Sequence, residues 1–461
     1  MKMELLFLII WLNLSLCMIV LPFKTVYVNK NGQINQDSKE YNSTHFMNDF
    51  FNASLYTTLE MGNPPQKIKV ILSYQDCGFK IGNAKRCIND NEYLSQYNKN
   101  KSTDFCYTDL YPISIYNEYG FDSRSHSAED SIYFYKDLKQ KKYESIKKVD
   151  FYLGDDTDDP ICGVIGFKTD RGEFYCPNIS FISTLKARKT IDNYNWIIKY
   201  NSKNEGLIAI GANMNDVISN FNENYVYRVY TKFPTSSWSF AIDEMIIGND
   251  DVSYTGKDKW IELNNDFSFL VGNLDYRKYI HENYFDDLIK DKICSENLWY
   301  YEYSYYFNII ECDKEKLEKK FIDQFPSITF INKELGTKII FEGKDLFTET
   351  KYKYFFNVMF AQYGAGYWVF GKLFFRKYSV MINTNQFLIQ IYNDTSVKKK
   401  SNFLKNFLMI SGNVVLLVIA GVLCYFLGKN LNQLRKRKAN ELDDDYEYTQ
   451  KNDDNDIINN S

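Results

Sequence analysis

Histidine is scarce in this chain, and that scarcity excludes several kinds of enzyme site. Only three histidines occur among 461 residues, and His45, His126 and His281 lie far apart. They form no His-Glu-x-x-His motif and no spaced set with cysteines, which are the patterns that hold a zinc ion. The sequence therefore predicts no metal site, and no cofactor.

Signals for two other common enzyme classes, and for nucleic-acid binding, are also missing. There is no glycine-rich loop that would cradle phosphate groups, and no Gly-x-Ser-x-Gly turn that would present a serine nucleophile. The 55 basic and 59 acidic residues leave a formal net charge of −4, without the basic excess typical of nucleic-acid-binding proteins. We expect no nucleic-acid partner.

Two long apolar runs lie towards the ends of the chain. Lys2 precedes an apolar stretch at residues 5–20 that is typical of a signal peptide, with cleavage expected between Leu21 and Thr25. A signal anchor or a buried helix is the alternative for this run. The second run, at 403–427, is long enough at about 1.5 Å per residue to cross a hydrocarbon core of roughly 30 Å. It predicts a transmembrane helix.

Basic residues after the second run predict its orientation. Lys429 and residues 435–438 follow it, and such charge stays in the cytosol, whereas residues 398–400 on the other side reduce the asymmetry. We expect a single-pass type I protein of the secretory pathway, at the cell surface or in endolysosomal membranes. The acidic segment at 441–461 predicts disorder in the cytosolic tail 428–461, and a tail that binds a sorting adaptor is the alternative.

The residues between the two runs suit an oxidising, glycosylating compartment. Seven of the nine cysteines lie there, and most should pair and leave one odd thiol. For Cys77 a disulfide with Cys87 or another nearby cysteine is expected rather than a catalytic role. Glycosylation motifs begin at Asn42, Asn52, Asn100, Asn178 and Asn393. These motifs predict a glycoprotein.

Short segments of alternating character dominate the predicted ectodomain. They combine β-branched and aromatic residues with a period of two, and glycine, asparagine and aspartate separate them. Strands are expected at 54–61, 67–72, 130–135, 148–153, 206–211, 238–248, 327–331, 337–343 and 379–392. Helices are expected only at 179–189, 276–293 and 313–325. Because no solenoid-like repeat is present, a mostly β ectodomain follows.

Residues 55–72 carry a more specific pattern. They read LYTTLEMGNPPQKIKVIL, in which Gly62, Pro64 and Pro65 make a stiff turn between two predicted strands. This arrangement resembles the opening of pepsin-like aspartic proteases (peptidase A1). Further segments follow in that family's order: CGVIGF at 162–167, GLIAIGAN at 206–213, TSSWSFAIDEMIIGN at 235–249, QFPSITFIN at 324–332 and YWVFGKLFFRKYSVMINTNQFLIQIYN at 367–393.

The resemblance covers about residues 54–393 and implies a mostly β, bilobal pepsin-like fold, which the second apolar run would extend with a C-terminal transmembrane helix. The expected organisation is a signal peptide at 1–22, an N-terminal segment at 23–53, lobes at 54–230 and 231–395, the transmembrane helix at 403–427 and a cytosolic tail. Tyr119 and Gly120 resemble the flap that closes over bound peptide, although Tyr119 as a packed hairpin aromatic is an equal alternative. Cys294 and Cys312 match a disulfide of the second lobe. We expect a monomer.

The family's catalytic motif is absent. In pepsin-like enzymes one aspartate per lobe, within Asp-Thr/Ser-Gly, shares a proton with the other and activates a water. This sequence contains no such triplet. Alignment of the flanking strands places Ser73 at the first aspartate, with Tyr74 and Gln75 after it. It places Asn264 at the second, with Asn265 and Asp266 after it.

Neither serine nor asparagine titrates near neutral pH, so neither can exchange the shared proton. The resemblance therefore implies a pseudoprotease whose cleft binds an extended peptide or protein segment. Segment 23–53 is short and unlike a basic inhibitory pro-segment, which agrees with that interpretation. Two alternatives stay open. Asp76 and Asp266 are close to the expected positions, so an active endopeptidase using displaced carboxylates is one, and a structural surface glycoprotein is the other.

Overall fold

The computed structural model describes most of the chain between residues 18 and 393. The described residues are 18–27, 53–74, 78–82, 97–108, 113–116, 122–137, 142–154, 163–167, 180–233, 237–248, 250–252, 259–301, 305–361, 367–393 and 426–431. The chain divides into two units, Met1–Asp394 and Thr395–Ser461. The fold and the candidate site belong to the first unit.

Strands form most of the first unit, as the alternating pattern predicts. In chain order they are β1 Ile19–Tyr27, β2 Ala53–Met61, β3 Gln66–Ser73, β4 Phe79–Gly82, β5 Cys106–Tyr107, β6 Ile113–Tyr116, β7 Asp122–Asp137, β8 Lys142–Gly154, β9 Gly163–Gly166, β10 Asn195–Tyr200, β11 Glu205–Ile210, β12 Val226–Tyr230, β13 Ser239–Ala241, β14 Glu244–Ile247, β15 Asp250–Val252, β16 Trp260–Leu263, β17 Leu270–Gly272, β18 Cys294–Tyr301, β19 Tyr305–Asp313, β20 Ile328–Asn332, β21 Thr337–Phe341, β22 Phe347–Glu349, β23 Lys353–Phe356, β24 Val358–Ala361, β25 Trp368–Phe370, β26 Ser379–Asn383 and β27 Leu388–Tyr392. Every segment predicted from alternation contains strand.

The helices of the first unit are short. They are α1 Phe181–Ala187, α2 Met214–Val217, α3 Leu274–Ile280, α4 Asp286–Lys290, α5 Lys319–Gln324 and α6 Lys372–Lys377, and a π-helical turn, His281–Phe285, joins α3 to α4. Ser180 and Asn273 begin α1 and α3 because their side chains accept backbone N–H groups of the first turn. The helix expected at 313–325 starts only at Lys319, after a turn.

The predicted transmembrane helix falls mostly outside the described residues. Residues 403–425 are not described, whereas residues 426–431 are helical. Among the helices of the described ranges, none has the length and apolar character that a membrane crossing requires. Membrane anchoring therefore stays a prediction.

Three sheets organise the described strands. The largest has the order β12-β27-β26-β10-β11-β1-β2-β3-β9-β4-β8-β7-β5, with β6 attached to β7. A second has the order β13-β16-β25-β17-β24-β19-β23-β22, with β18 attached to β19, and a small third sheet is β15-β14-β20-β21. Because β26 and β27 come from the last part of the chain and pair beside β10 and β12, the first sheet joins both lobes.

Strand β1 differs from the organisation expected at the N-terminus. Residues Ile19–Lys24 pair with β11, and Lys24–Tyr27 pair with β2. Ile19 and Leu21 are buried in the main core. The expected boundary between residues 22 and 23, like the expected cleavage interval from Leu21 to Thr25, therefore lies inside a sheet strand. The end of the apolar run at residues 5–20 and the residues just after it are core residues.

The two lobes repeat one arrangement of four strands. In the first lobe β3 pairs in parallel with β9, β9 pairs antiparallel with β4, and β4 pairs in parallel with β8. In the second lobe β16, β25, β17 and β24 make the same pairings in the same order. The connection from β3 to β4 is therefore equivalent to the connection from β16 to β17. This repeat has no visible period in the sequence.

The core has two parts. The main cluster runs through both lobes, and a smaller one packs on the opposite face of the second sheet. Because side chains alternate along a strand, Leu270 and Ile310 join the main cluster while Val271 and Ile309 join the smaller one. The smaller cluster consists of Phe269, Val271, Phe307, Ile309, Phe355, Met359 and Val369. The predicted disulfide Cys294–Cys312 is confirmed and joins β18 to β19.

Candidate functional site

The loop after β3 is held by backbone bonds to the neighbouring strand. Ser73 is the last β3 residue that pairs with β9, opposite Gly166. Gly166 N donates to Gly78 O at 2.7 Å, and Phe167 N donates to Ser73 O at 2.9 Å. These bonds fix Ser73 and Gly78 against the end of β9.

The loop after β16 is closed in the same way. Leu263 is the last β16 residue that pairs with β25, opposite Phe370. Gly371 follows Phe370 in the chain and donates its N–H to Phe269 O at 3.1 Å. In the first lobe Gly166 donates to Gly78 O in the equivalent way. Gly371 is therefore the equivalent of Gly166, which lies opposite Ser73. Because Leu263 lies opposite Phe370, the residue after Leu263, Asn264, is the structural equivalent of Ser73. This equivalence agrees with the alignment that placed them at the two catalytic aspartates.

A carboxylate joins the two loops. Ser73 Oγ donates to Asp266 Oδ2 at 3.0 Å, and Tyr74 N donates to Oδ2 at 3.1 Å and to Oδ1 at 3.3 Å. Asp266 N donates to Asn264 Oδ1 at 3.0 Å, which fixes the loop that carries the carboxylate. Ser73 and Asn264 are buried, with exposed fractions of 5% and 2%. Asp266 therefore reaches from the second lobe to the residue at the first catalytic position.

Aromatic side chains surround this contact. Tyr74 packs edge-on against Trp196 with ring centroids 4.8 Å apart, and its ring lies 5.2 Å from that of Phe375. Tyr200 donates its hydroxyl to Asn265 Oδ1 at 3.1 Å. Burial raises the pKa of Tyr74 and of Tyr200 above the ordinary value. Both phenols therefore stay protonated near neutral pH, and that of Tyr200 holds the loop through Asn265.

Lys372, at the start of α6, is a buried cation beside Asp266. Its Nζ donates to Asp266 O at 2.9 Å, and the residue has no exposed surface. Burial, and to a smaller extent the positive charge of Arg376, lower the pKa of Lys372 to about 7 against the attraction of Asp266. Sequence reasoning missed this residue. The available signal was a lysine inside the otherwise apolar run YWVFGKLFF.

An apolar surface starts next to Asp266. Phe267 is half-buried, and its ring lies 5.5 Å from Phe269 and 6.1 Å from Phe307. Trp260 and Tyr367 stack with centroids 3.8 Å apart, and Tyr367 packs against the same smaller cluster. The second lobe thus presents half-buried aromatic rings, and one of them, Phe267, follows Asp266 directly in the chain.

Several residues predicted to form the site lie outside the described residues. Asp76, Gln75, Tyr119 and Gly120 are among them. The strands around Tyr119 are described: β6 pairs antiparallel with the start of β7 from Ile113↔Ser125 to Tyr116↔Asp122. The described strands β6 and β7 therefore pair as an antiparallel β-hairpin.

The modification sites are described in part. Asn100 is exposed on a short 3-10 turn and Asn393 is half-buried after β27, whereas Asn42, Asn52 and Asn178 lie outside the described residues. Cys106 is an exposed free thiol. Cys77 and its expected partner Cys87 also lie outside the described ranges.

The described residues offer one carboxylate at the junction of the loops. The hydrogen bonds traced to its oxygens come from the Ser73 hydroxyl and the Tyr74 amide. An acid–base pair of the pepsin type needs two carboxyls that share a proton. No group of three or more histidine, cysteine, aspartate or glutamate side chains suited to a metal ion occurs within the described ranges. The arrangement is a hydrogen-bonded contact between lobes.

Sequence comparisons found nothing, whereas structural comparison found many similar proteins. No family model matches this chain, and no curated protein matches it. Among 384 matching chains of solved structures is the crystal structure of Basic 7S globulin from soybean. It is 11% identical with a TM-score of 0.53, over 81% of this chain and 94% of that chain. The match supports a pepsin-like fold and, at this identity, the fold alone.

Proposed function

We propose that this chain, which has a pepsin-like fold, binds an extended peptide segment between its lobes and does not cleave it. The observation that carries the proposal is the contact between Ser73 and Asp266. The equivalent positions of the two loops hold a hydroxyl and an amide, Ser73 and Asn264, and the nearby carboxylate is hydrogen-bonded to the hydroxyl.

The chemistry of peptide hydrolysis explains why this contact argues against catalysis. One carboxylate must take a proton from water while a second, protonated, carboxyl polarises the peptide carbonyl. Ser73 and Asn264 cannot change charge near neutral pH, so neither can replace a member of the pair. A 3.0 Å contact between Ser73 Oγ and Asp266 Oδ2 also leaves no space for a water between those two atoms.

Two features support peptide binding. β6 and β7 pair as an antiparallel hairpin, the backbone arrangement expected of a flap, and the half-buried rings of Phe267, Trp260 and Tyr367 offer an apolar surface on the second lobe. Extended peptides bind by main-chain hydrogen bonds to a strand edge while pockets accept alternate side chains. The ligand proposed is therefore an extended segment with apolar side chains at alternate positions.

The test of catalysis is incubation of the full-length chain with a mixed peptide library between pH 3 and 7, followed by mass spectrometry. We expect no cleavage at any pH, with pepsin as the positive control. Cleavage at acid pH that a statine-type inhibitor blocks, and that Asp76→Asn or Asp266→Asn abolishes, would instead establish an endopeptidase using displaced carboxylates. Asp266 supports that second candidate in part, because it does lie at the junction of the loops.

The test of binding uses immobilised random ten-residue peptides. We expect the full-length chain to retain a subset rich in apolar residues, and Tyr367→Ala to weaken that retention. Tyr352→Ala is the matched control, because Tyr352 is an exposed tyrosine outside the smaller cluster. If the wild-type chain retains no peptide, a structural surface glycoprotein becomes the better interpretation.

We also propose that residues 403–427 anchor the chain as a type I membrane protein. The support is the apolar run and the basic residues that follow it. Asn100 and Asn393 would then be luminal, and the exposure of Asn100 suits a modified residue. Glycosidase treatment should reduce the apparent mass, and alkaline extraction should leave the chain in the membrane fraction.

A further inference from the structure

A histidine begins the π-helical turn that joins α3 to α4. Across this turn Asp286 N donates to His281 O, a bond that spans five residues instead of the four of an α-helix. In an α-helix the neighbouring side chains are three or four residues apart. Here the wider turn brings residues five apart together, and His281 Nδ1 lies 3.1 Å from Asp286 Oδ1. The turn therefore gives the histidine a carboxylate partner from its own segment.

The other ring nitrogen of this histidine faces the β18–β19 hairpin. His281 Nε2 lies 3.4 Å from Glu296 Oε1, on β18. The same carboxylate accepts two hydrogen bonds from Arg277 of α3, at 3.0 Å from Nε and at 2.8 Å from Nη2. With its amide oxygen turned towards Arg277, Asn308 of β19 accepts from Nη2 at 2.6 Å. These contacts join the helical segment to both strands of the hairpin.

The geometry suits a protonated histidine. Both ring nitrogens of His281 point at carboxylate oxygens, and a neutral imidazole has only one N–H, so its other nitrogen would turn a lone pair towards a carboxylate. An imidazolium has an N–H on each nitrogen and can donate to both. Glu296 is 20% exposed and Asp286 is 61% exposed, so solvent screens Asp286 more. Glu296 is therefore the main partner of the charged form.

The charged groups that face His281 come from three elements: Arg277 from α3, Asp286 from α4 and Glu296 from β18. Glu296 raises the pKa of His281 above its ordinary value of 6.5, Asp286 adds to this, and burial and Arg277 oppose it. Against the effect of burial, His281 and Arg277 lower the pKa of Glu296. In mildly acidic solution the histidine is therefore positive while the glutamate is still negative. The stability that this pair contributes is fully present below about pH 6.5 and is lost as pH rises through the folded pKa of His281.

The hairpin extends from this histidine to the apolar surface of the second lobe. On β19 Phe307 comes directly before Asn308, and it pairs with Ala361 of β24. The ring of Phe307 lies 6.1 Å from that of Phe267, one of the half-buried rings proposed to contact peptide. A hairpin that is held against α3 and α4 therefore also holds Phe307 against this surface.

We propose that protonation of His281 fixes the β18–β19 hairpin on α3 and α4, and thereby makes peptide binding tighter in acidic than in alkaline solution. This regulation rests on the proposed function, because it acts on the apolar surface that is proposed to bind peptide. The proton-dependent contact itself does not rest on it, since it involves only Arg277, His281, Asp286 and Glu296. The contact and the regulation are therefore tested by separate experiments.

The contact is tested by NMR titration of the full-length chain with isotope-labelled histidine. The chain has only three histidines, and His281→Gln identifies the resonance to follow. We expect a pKa of His281 above the ordinary 6.5, and a lower pKa in Glu296→Gln, because that change removes the main negative partner. A pKa of His281 at or below 6.5, or one that Glu296→Gln leaves unchanged, would overturn the contact.

Urea unfolding measures the contribution of the proton to stability. His281→Gln should lose more unfolding free energy, relative to wild type, at pH 5 than at pH 8.5, because the charged pair exists only in the acidic solution. His126→Gln, at a histidine of the first lobe, is the matched control and should show a smaller dependence on pH. Equal losses at the two pH values in His281→Gln would contradict the proposal.

Regulation of binding is tested with a fluorescent, end-capped ten-residue peptide of alternating leucine and serine, which has no titratable side chain. Anisotropy titration with the full-length chain should give binding that is about fivefold or more tighter at pH 5 than at pH 8.5. His281→Gln should remove most of this ratio, and His126→Gln should keep it.

Wild-type binding that does not change with pH, or a ratio that His281→Gln leaves intact, would overturn the regulation. If the peptide binds at neither pH, the proposed function and its regulation fail together. In that case a raised pKa of His281 would still establish the contact between the histidine and the hairpin, so the two failures are distinguishable.

Discussion

Asp266 connects the two equivalent loops from a position that holds glycine in pepsin-like enzymes. In the equivalent loops it follows Asn264 by two residues, so it lies at the family's glycine position, where a side chain can reach across to the other lobe. Its carboxylate accepts from Ser73 and from the Tyr74 amide, and both bonds cross between loops that are 192 or 193 residues apart in sequence. A residue that would disrupt a tight catalytic loop here forms the contact between lobes.

Ser73→Asp should destabilise the protein at neutral pH. The hydroxyl of Ser73 now donates to Asp266, and a carboxylate in its place would repel that of Asp266. The two carboxyls would then share a proton, and one pKa of the pair would rise above its ordinary value of about 3.9. A raised folded-state pKa means that the folded state binds more protons, so stability relative to Ser73→Asn should rise as pH falls from 7 towards 4. Urea unfolding at pH 7 and 4.5 measures this, and parallel stabilities of the two variants would contradict it.

Lys372 should make stability depend on pH in the neutral to alkaline range. The pKa of Lys372 falls from 10.5 to about 7 on folding, so between these values the unfolded chain binds more protons than the folded one. Stability should therefore rise with pH across that window, and the cost of burying the charge is fully present below pH 7.

The measurement is the difference in unfolding free energy between Lys372→Met and wild type, at several pH values from 6 to 10. This difference should be most favourable to the variant at pH 6 and should shrink steadily as pH rises. Lys316→Met, at an exposed lysine, is the matched control and should show a smaller change. A difference that is constant with pH would show that Lys372 does not titrate in this range.

At the scale of elements, β25 and the start of α6 position the loop of Asp266. Gly371 connects them and lies directly against the backbone of that loop. A Cβ at Gly371 would come within 2.2 Å of Phe269 O and 2.4 Å of Phe267 O. Close backbone approach, and not a special backbone conformation, therefore requires glycine here.

Gly371→Ala should displace the loop and lower the free energy of unfolding by about 2–3 kcal/mol or more, because the contacts involve backbone that cannot rotate away. The same change at Gly336, where a Cβ would meet nothing within 4 Å, should cost less despite its positive φ of 62°. Denaturant unfolding of both variants measures the difference. An equally small loss of unfolding free energy in both variants would show that the loop of Asp266 can move away from a Cβ at residue 371 at little cost.

Strand prediction at this scale succeeded where β-branched and aromatic residues were dense. β2 alternates between buried and more exposed residues, whereas β3 and β20 are buried on both faces over most of their length. β1 was missed because its apolar residues continue the run of a signal peptide, and Pro22 argues against a central strand. β18 and β19 were missed because their continuous aromatic residues do not alternate with polar ones.

For the whole molecule, β1 joins parts of the chain that are distant in sequence. It pairs with β11, which pairs with β10 and through it with β26. The strand therefore belongs to the sheet shared by both lobes. Any processing of the N-terminus that removed Ile19, Val20 and Leu21 would remove buried side chains from that sheet.

A chain that begins at Phe23 should therefore be much less stable than one that begins at Met18. Each of the three lost side chains contributes about 2 kcal/mol by burial, and typical total stability is about 5–15 kcal/mol. Expression of both forms and thermal unfolding measure the difference. We expect N-terminal sequencing of the native protein to find residues 19–22 retained, and a native N-terminus at Phe23 with full stability would contradict this.

The pepsin-like fold could be inferred from local patterns, because strand alternation, the Gly-x-Pro-Pro-Gln turn and the order of segments are properties of short stretches of chain. The loss of both catalytic aspartates could also be inferred, since it depends on residue types at Ser73 and Asn264. Two other features required the tertiary structure: the contact of Asp266 with Ser73 and the burial of Lys372. Each depends on distances or pairings between residues far apart in the chain, and those follow from how the sheets pack.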